Sequence, residues 1–232
     1  MRMLITGASR GLGFALAAAA AERGHQVYAG VRTMTEEGPL PSLCKRYPDR
    51  VEAVLLDVTN ENTIAAIKDR FVAEGTKLDA IVNNAAVLLG REKSIEELDM
   101  DEVEYTFDVN VFGPLRVVKH MLSLVRDGKN SIVLNVSSEA GSFQNAYGGD
   151  YPYALSKSAL NMFTKQLRAA VKERGIRVYA VHPGWIRTDM GGEKAPGDPA
   201  VSARNLLDLI EGKIAVDENL FFIDHQGKAM PL

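Results

Sequence analysis

Seven short runs rich in Val, Ile and Leu alternate with longer stretches of helical periodicity, and this alternation restricts the chain to a small set of folds. The runs are Met3 to Ile5, Gln26 to Val31, Val51 to Leu56, Ala80 to Val82, Ser131 to Val136, Arg177 to Val181 and Leu220 to Ile223. Helices are predicted at Gly11 to Arg23, Asn60 to Glu74, Asp101 to Val125, Tyr153 to Arg174 and Pro199 to Ile210. Several are closed by glycine, at 24, 75, 128, 175 and 212. The rhythm is βαβ throughout, which predicts an α/β fold: a doubly wound parallel sheet of about seven strands with helices on both faces. The alanines 17 to 21 read as a small-residue face packed close to the sheet. At 232 residues and 46% apolar content the chain fits one domain, 1–232, with no linker or internal repeat.

Charge and cysteine content narrow the partners. A net charge of -3 and a pI near 5.9, with no run of five basic residues, give no bulk attraction to nucleic acid or to an anionic membrane. Small molecules are the expected partners. Cys44 is the one cysteine and lies in no metal-ligand spacing, so no metal is expected and a reducing, cytoplasmic compartment is. The N-terminus enters a strand and a glycine turn at once, which predicts no signal peptide, and no stretch of eighteen apolar residues predicts a membrane span.

In open α/β sheets ligands bind at the carboxyl ends of the strands. Thr6-Gly7-Ala8-Ser9-Arg10-Gly11-Leu12-Gly13 stands there, after the first strand and opening the first helix. Glycines in that place let backbone N–H groups and a helix N-terminus approach a pyrophosphate, although the same turn can be no more than a tight connection. A dinucleotide site for NAD usually ends its second strand in a carboxylate; here the place reads Gly30-Val31-Arg32. Arg32 and Arg10 could together meet a 2′-phosphate, favouring NADP(H), or could be two solvated surface arginines. Asp57 could accept from an adenine amino group or cap a turn before Asn60. Asn84 and Ala85 follow the fourth strand as turn residues beside the same edge.

Acid–base chemistry has one strong candidate. Tyr153 and Lys157 are four residues apart on a predicted helix and share a face, so a phenol sits beside a cation able to favour the phenolate. Chance supplies about 0.4 such pairs among seven Tyr and twelve Lys, so the pair needs company. Ser137 and Ser138 end the fifth strand fifteen or so residues earlier, and one hydroxyl could donate to a substrate carbonyl. A nucleophilic serine is not indicated, because neither lies in G-x-S-x-G and no histidine has an obvious acid partner. Asn110 is a poor helix former in mid-helix, which marks a polar or kinked site, or simple tolerance. Trp185 and Met190, in the loop of about 185–199, could wall an apolar pocket or merely cover the core.

The assembled order of Thr6 to Gly13, Asn83-Asn84-Ala85, Asn110, Ser138, Tyr153-x-x-x-Lys157, Pro183-Gly184 and Thr188 resembles the short-chain dehydrogenase/reductase family over essentially the whole chain. Tyr151 to Lys165 and His182 to Gly192 are similar to the C-factor and sniffer-type carbonyl reductases. The resemblance implies a Rossmann-type fold and an NADP(H)-dependent oxidoreductase acting on a carbonyl or alcohol. Tyr153 would exchange a proton with the substrate oxygen, Lys157 would lower its pKa and hold the nicotinamide ribose, Ser138 would polarise the carbonyl, and Asn110 would support a water relay behind Lys157. The coenzyme would run along Gly7, Ser9, Arg10, Gly11, Leu12, Gly13, Arg32, Asp57, Val58, Asn84, Ala85, Tyr153, Lys157, Pro183, Gly184, Ile186 and Thr188, with substrate against Ser138, Trp185 and Met190. A homo-oligomer, dimer or tetramer, is also implied. Two departures stand out. Asn-Asn-Ala-Gly reads Asn83-Asn84-Ala85-Ala86 here, and Ser138 to Tyr153 is two residues longer than the usual thirteen. The loop from Trp185 to Pro199 is too short for a deep lid, so an open site taking several apolar carbonyls is expected. A nucleotide-sensing signalling protein with vestigial catalysis is the alternative, and a sugar epimerase or dehydratase is disfavoured by the lack of a C-terminal substrate domain.

Overall fold

β1 (Arg2–Thr6) lies inside the sheet, between β2 (Gln26–Val31) and β4 (Ala80–Asn83). The computed structural model describes residues 1–232 and completes the sheet with β3 (Val51–Leu55), β5 (Ile132–Val136), β6 (Arg177–His182) and β7 (Phe222–Asp224). All neighbours are parallel in the order β3-β2-β1-β4-β5-β6-β7, so the chain reverses direction across the sheet between β1 and β4. Every predicted strand is present within two residues. The reversal places the carboxyl ends of β1 and β4 side by side, opening the crevice where such sheets bind ligands.

Two apolar layers cover the sheet. On one face α1 (Gly11–Glu22) packs along α7 (Pro199–Ile210), and Ala17, Ala20 and Ala21 are wholly buried, as the small-residue stripe predicts. On the other, α3 (Glu61–Ala73) and the helices around Val117 and Leu167 close over Leu4, Ile81 and Val133. Asn60 caps α3 by accepting from the N–H of Asn62 at 3.1 Å.

Two helical segments differ from the expectation. α2 (Pro39–Arg46) is not among the expected helices; Pro39 stands in its first turn, where a missing N–H costs nothing, and Leu40 and Leu43 bury against the core. The single helix expected over Asp101 to Val125 is broken into α4 (Met100–Phe107), a π turn at Asp108–Phe112, and α5 (Gly113–Met121). Pro114 explains the break. It has no N–H to give the carbonyl of Asn110, and in an unbroken helix its ring would strike that carbonyl. The wider π turn relieves both, and it places Asn110 at the kink. α6 (Tyr151–Ala170) begins two residues before Tyr153, with Pro152 in its first turn and Asp150 preceding it in a left-handed conformation, φ 46°.

Candidate active site

Close approach shapes the glycine turn. A Cβ on Gly13 would stand 2.4 Å from the carbonyl oxygen of Gly7 and 2.5 Å from Asn84 Nδ2, and one on Gly7 would stand 2.8 Å from Ala85 Cα. Asn84 ties the turn to the end of β4, donating from Nδ2 to the carbonyls of Thr6 at 2.9 Å and Gly7 at 3.1 Å. Thr6 Oγ1 accepts in return from the N–H groups of Asn84 and Ala85, at 3.0 and 3.1 Å. No side chain caps α1, so its first N–H groups face the crevice without a protein acceptor, an arrangement suited to an anion. Ala86 is not in the left-handed region, so alanine there introduces no backbone strain.

The crevice is a cleft of about 680 Å³ lined by Gly7, Ser9, Arg10, Gly11, Leu12, Arg32, Asp57, Val58, Asn84, Ala85, Ser138, Tyr153, Lys157, Pro183, Gly184, Trp185, Ile186, Thr188 and Met190, among others. Of the sequence-derived residues, Gly13 and Asn110 stand behind this lining. Arg32 reaches the hydroxyl of Tyr105 at 3.3 Å, and Arg10 pairs with Asp189 at 2.7 Å. Asp57 borders the cleft but is engaged in a turn, its Oδ1 accepting from the N–H and hydroxyl of Thr59 at 2.9 and 2.8 Å. The turn-capping alternative thus accounts for one of its oxygens.

Tyr153, half-buried on the first turns of α6, faces the cleft with Ser138 as its polar partner. Burial pushes its phenol up to about 12, and the Ser138 hydroxyl pulls the other way. Lys157 is buried one turn on. Its Nζ donates to the carbonyl of Val136 at 2.8 Å and stands 5.3 Å from the centroid of the Tyr153 ring. Burial pushes the Lys157 ammonium down to about 7. Burial thus pushes the two groups in opposite directions, the phenol up and the ammonium down.

Ser137 and Ser138 have different surroundings. Ser137 donates to Asn161 Oδ1 at 2.6 Å in the interior. Ser138 accepts from the N–H of Ala140 at 3.2 Å and keeps its hydroxyl proton for the cleft side, beside Tyr153. Asn161, missed in the sequence, stands four residues after Lys157 on the same helical face, the spacing that could have found it. Asn110 does not touch Lys157. It brackets the backbone of Val87, donating to its carbonyl and accepting from its N–H at 2.9 Å each, and donates to Ser156 Oγ at 3.0 Å.

The loop after β6 closes the remaining side. Trp185 is 53% exposed and donates its indole N–H to the carbonyl of Gly191 at 2.8 Å; Thr188 Oγ1 accepts from the N–H of Gly191 at 3.1 Å. His182 Nδ1 accepts from the N–H of Glu139 at 3.2 Å, consistent with a packing role, and burial lowers its pKa. Arg91, Tyr147 and Asp150 also border this end, and no motif announced them.

Residues 1–198 match the family described as short chain dehydrogenase. C-signal of Myxococcus xanthus is 37% identical over 155 residues, which cover 66% of this chain and 92% of that protein. Among solved structures, the carbonyl reductase Sniffer of D. melanogaster superposes with a TM-score of 0.89 at 27% identity, covering 100% of this chain and 99% of that one. An NADPH-bound carbonyl reductase from chicken fatty liver gives 0.84 at 26% identity, covering 100% and 98%. Both groups of relatives suggested by the sequence are represented.

Proposed function

This chain belongs to the short chain dehydrogenase family, and within it we propose an NADP(H)-dependent reductase of aldehydes or ketones. The observation that carries the reading is that Ser138, Tyr153 and Lys157 line one cleft together, with the Lys157 Nζ 5.3 Å from the Tyr153 ring. The tightly packed glycine turn and the uncapped N-terminus of α1 at the cleft suit a pyrophosphate, and Arg10 and Arg32 border the same cleft as candidates for a 2′-phosphate. When bound, NADPH supplies a hydride to the carbonyl carbon.

The protein's own residues manage the oxygen. Ser138 donates a hydrogen bond to the substrate carbonyl and orients it. Tyr153, protonated well above neutral pH, gives its proton to that oxygen as negative charge develops, so the charge never accumulates fully. Lys157, with its pKa near 7, can take up or release a proton at working pH behind the phenol. Asn110 acts at one remove. Its bonds to Val87 and Ser156 fix the segment after β4 against the first turns of α6, holding both walls of the cleft in register. Thr188 and Ile186 sit at the nicotinamide end in this reading.

An NADPH-oxidation screen over aldehydes, ketones and quinones tests it, with NADH as control. Turnover with NADPH that collapses in Tyr153→Phe is the expected result. A wild type inactive on the whole panel and indistinguishable from Tyr153→Phe refutes it. The similarity to C-signal favours one other reading, a nucleotide-binding signalling protein with weak catalysis. Biological activity lost in Arg32→Ala but kept in Tyr153→Phe would select that reading. We also propose a homo-oligomer paired through α6 and through α5 with the π turn before it, where Phe112, Leu115, Leu155 and Met162 are exposed. No helix is long and apolar enough to cross a membrane, and a cytoplasmic location remains part of this proposal.

A further inference from the structure

Four basic side chains border the cleft, and three have been given work: Arg10 and Arg32 at the end nearest the glycine turn, and Lys157 buried below Tyr153. The fourth is Arg91. It sits on the segment that follows β4, one residue after Gly90, whose left-handed φ of 65° turns the chain. Its side chain is 48% exposed. NH1 donates to the carbonyl of Met190 at 3.3 Å, which reaches across the cleft mouth to the loop after β6. The charge is close enough to Tyr153 to act against the burial that raises the phenol.

Arg91 has an acidic neighbour that does not satisfy it. Asp150 Oδ1 lies 3.8 Å from Arg91 Nε, beyond hydrogen-bond distance, and has no hydrogen-bond partner of its own. The other oxygen of Asp150 accepts from the Tyr147 hydroxyl at 2.6 Å. Asp150, only 15% exposed, lies deeper than Arg91. The guanidinium is thereby held near the reacting tyrosine by charge at the border of the cleft, with a single one of its donors, on NH1, in a hydrogen bond. Five N–H groups in a fixed fork match a carboxylate in two parallel bonds, and beside an apolar wall such a group discriminates between charged and neutral ligands.

We propose that Arg91 binds a carboxylate on the substrate, making the preferred substrates oxo acids: aldehydes or ketones that carry a carboxylate within reach of the carbonyl. This rests on the reductase reading above and adds a charged end to the open apolar site expected from the sequence. Trp185 and Met190 would cover the carbon skeleton while Arg91 fixes the acid and Tyr153 addresses the carbonyl oxygen.

The test compares matched probes with NADPH: 3-formylbenzoate and 4-formylbenzoate, each against its methyl ester. The ester is the more electron-withdrawing group, so its aldehyde is intrinsically the more electrophilic. Faster reduction of the acid must then come from binding. The expected result is a kcat/KM for at least one acid about tenfold or more above that of its ester. Arg91→Leu should lower the acid-to-ester ratio by a similar factor, mainly through KM, and Arg91→Lys should recover part of it. Arg91 is on an exposed turn, and coenzyme titration of each variant shows that the fold persists. Esters reduced as well as or better than both acids, or a ratio unmoved in Arg91→Leu, overturn the oxo-acid assignment while leaving carbonyl reduction standing. A protein that reduces neither member of either pair, nor any other carbonyl, loses both readings.

Discussion

Arg10 and Asp189 face each other across the mouth of the cleft at 2.7 Å, with 76% and 71% of their side chains exposed. The guanidinium proposed to meet a 2′-phosphate therefore already has an anionic partner. Asp189 and the phosphate compete for one cation.

Asp189→Asn should consequently tighten NADP(H) binding and leave NAD(H), which lacks the phosphate, unchanged. An exposed pair of this kind contributes up to about 1 kcal/mol, so the gain is at most about fivefold. Trp185, the one tryptophan, lies in the same loop and serves as the fluorescent reporter for the titration. Equal tightening for both coenzymes, or none for NADP(H), would count against competition.

Tyr153→Phe removes the proton donor while keeping the ring. Loss of a positioned acid costs about 10²–10⁴-fold in rate, so kcat should fall by at least about 100-fold with the coenzyme Kd within about twofold of wild type. Stopped-flow reduction and equilibrium titration separate the two quantities. A parallel loss of coenzyme binding would make Tyr153 a structural residue instead.

Lys157 gives stability a pH dependence whose sign is fixed by burial. Its ammonium is held down to about 7 from 10.5, so between those values the unfolded chain binds a proton that the folded chain does not. Stability then rises with pH across that window, by at most about 1.4 kcal/mol per pH unit for one proton. Tyr153, raised from 10.0 to about 12, acts oppositely: above pH 10 the folded chain keeps a proton that the unfolded chain has released, and stability falls. Urea unfolding from pH 7.5 to 9.5 should show the rise in wild type and a flatter profile in Lys157→Met. Superimposable slopes would exclude Lys157 as its source.

Two alanine–glycine exchanges should behave differently. Gly13→Ala drives a methyl into the Gly7 carbonyl and Asn84 Nδ2, neither the free end of a flexible chain, and should cost about 1–3 kcal/mol and weaken coenzyme binding. Ala86→Gly meets no such geometry and should cost under about 1 kcal/mol, chiefly through the freer unfolded chain. Thermal melts with and without NADP(H) check both. A Gly13→Ala protein with unaltered melting and binding would mean that the turn is far more pliable than its packing implies.

Strand positions were legible because buried parallel strands need unbroken apolar runs, and each such run, Met3 to Ile5 or Ser131 to Val136 for example, had one interpretation. α2 is short, and its eight residues carry two prolines, so its periodicity is weak even though Pro39 is well suited to start a helix. Pro114 carried the signal for the π turn, but its effect falls four residues back, on the carbonyl of Asn110. Within the site, residues with a local pattern could be found: the glycines, Tyr153 with Lys157, and Asn161 by the same spacing. Arg91, Tyr105 and Asp189 could not, because their partners lie across the cleft on segments far away in sequence. Burial at the site was illegible for a related reason. Proximity of Tyr153 to Lys157 is written in the spacing, whereas the burial that acts on both groups belongs to the packed fold.

The pairing of β1 with both β2 and β4 has a consequence for synthesis. Arg2 meets Gln26 early, but the opposite edge of β1 waits for Ala80, which pairs with Met3. At roughly 5–20 residues per second, those intervening residues take about 4 to 15 s to be added. During that interval Met3, Leu4 and Ile5 present an apolar strand edge with nothing beside it, a template for addition by another chain. A nascent chain of this protein is most open to aggregation at the strand that ends up among the best buried.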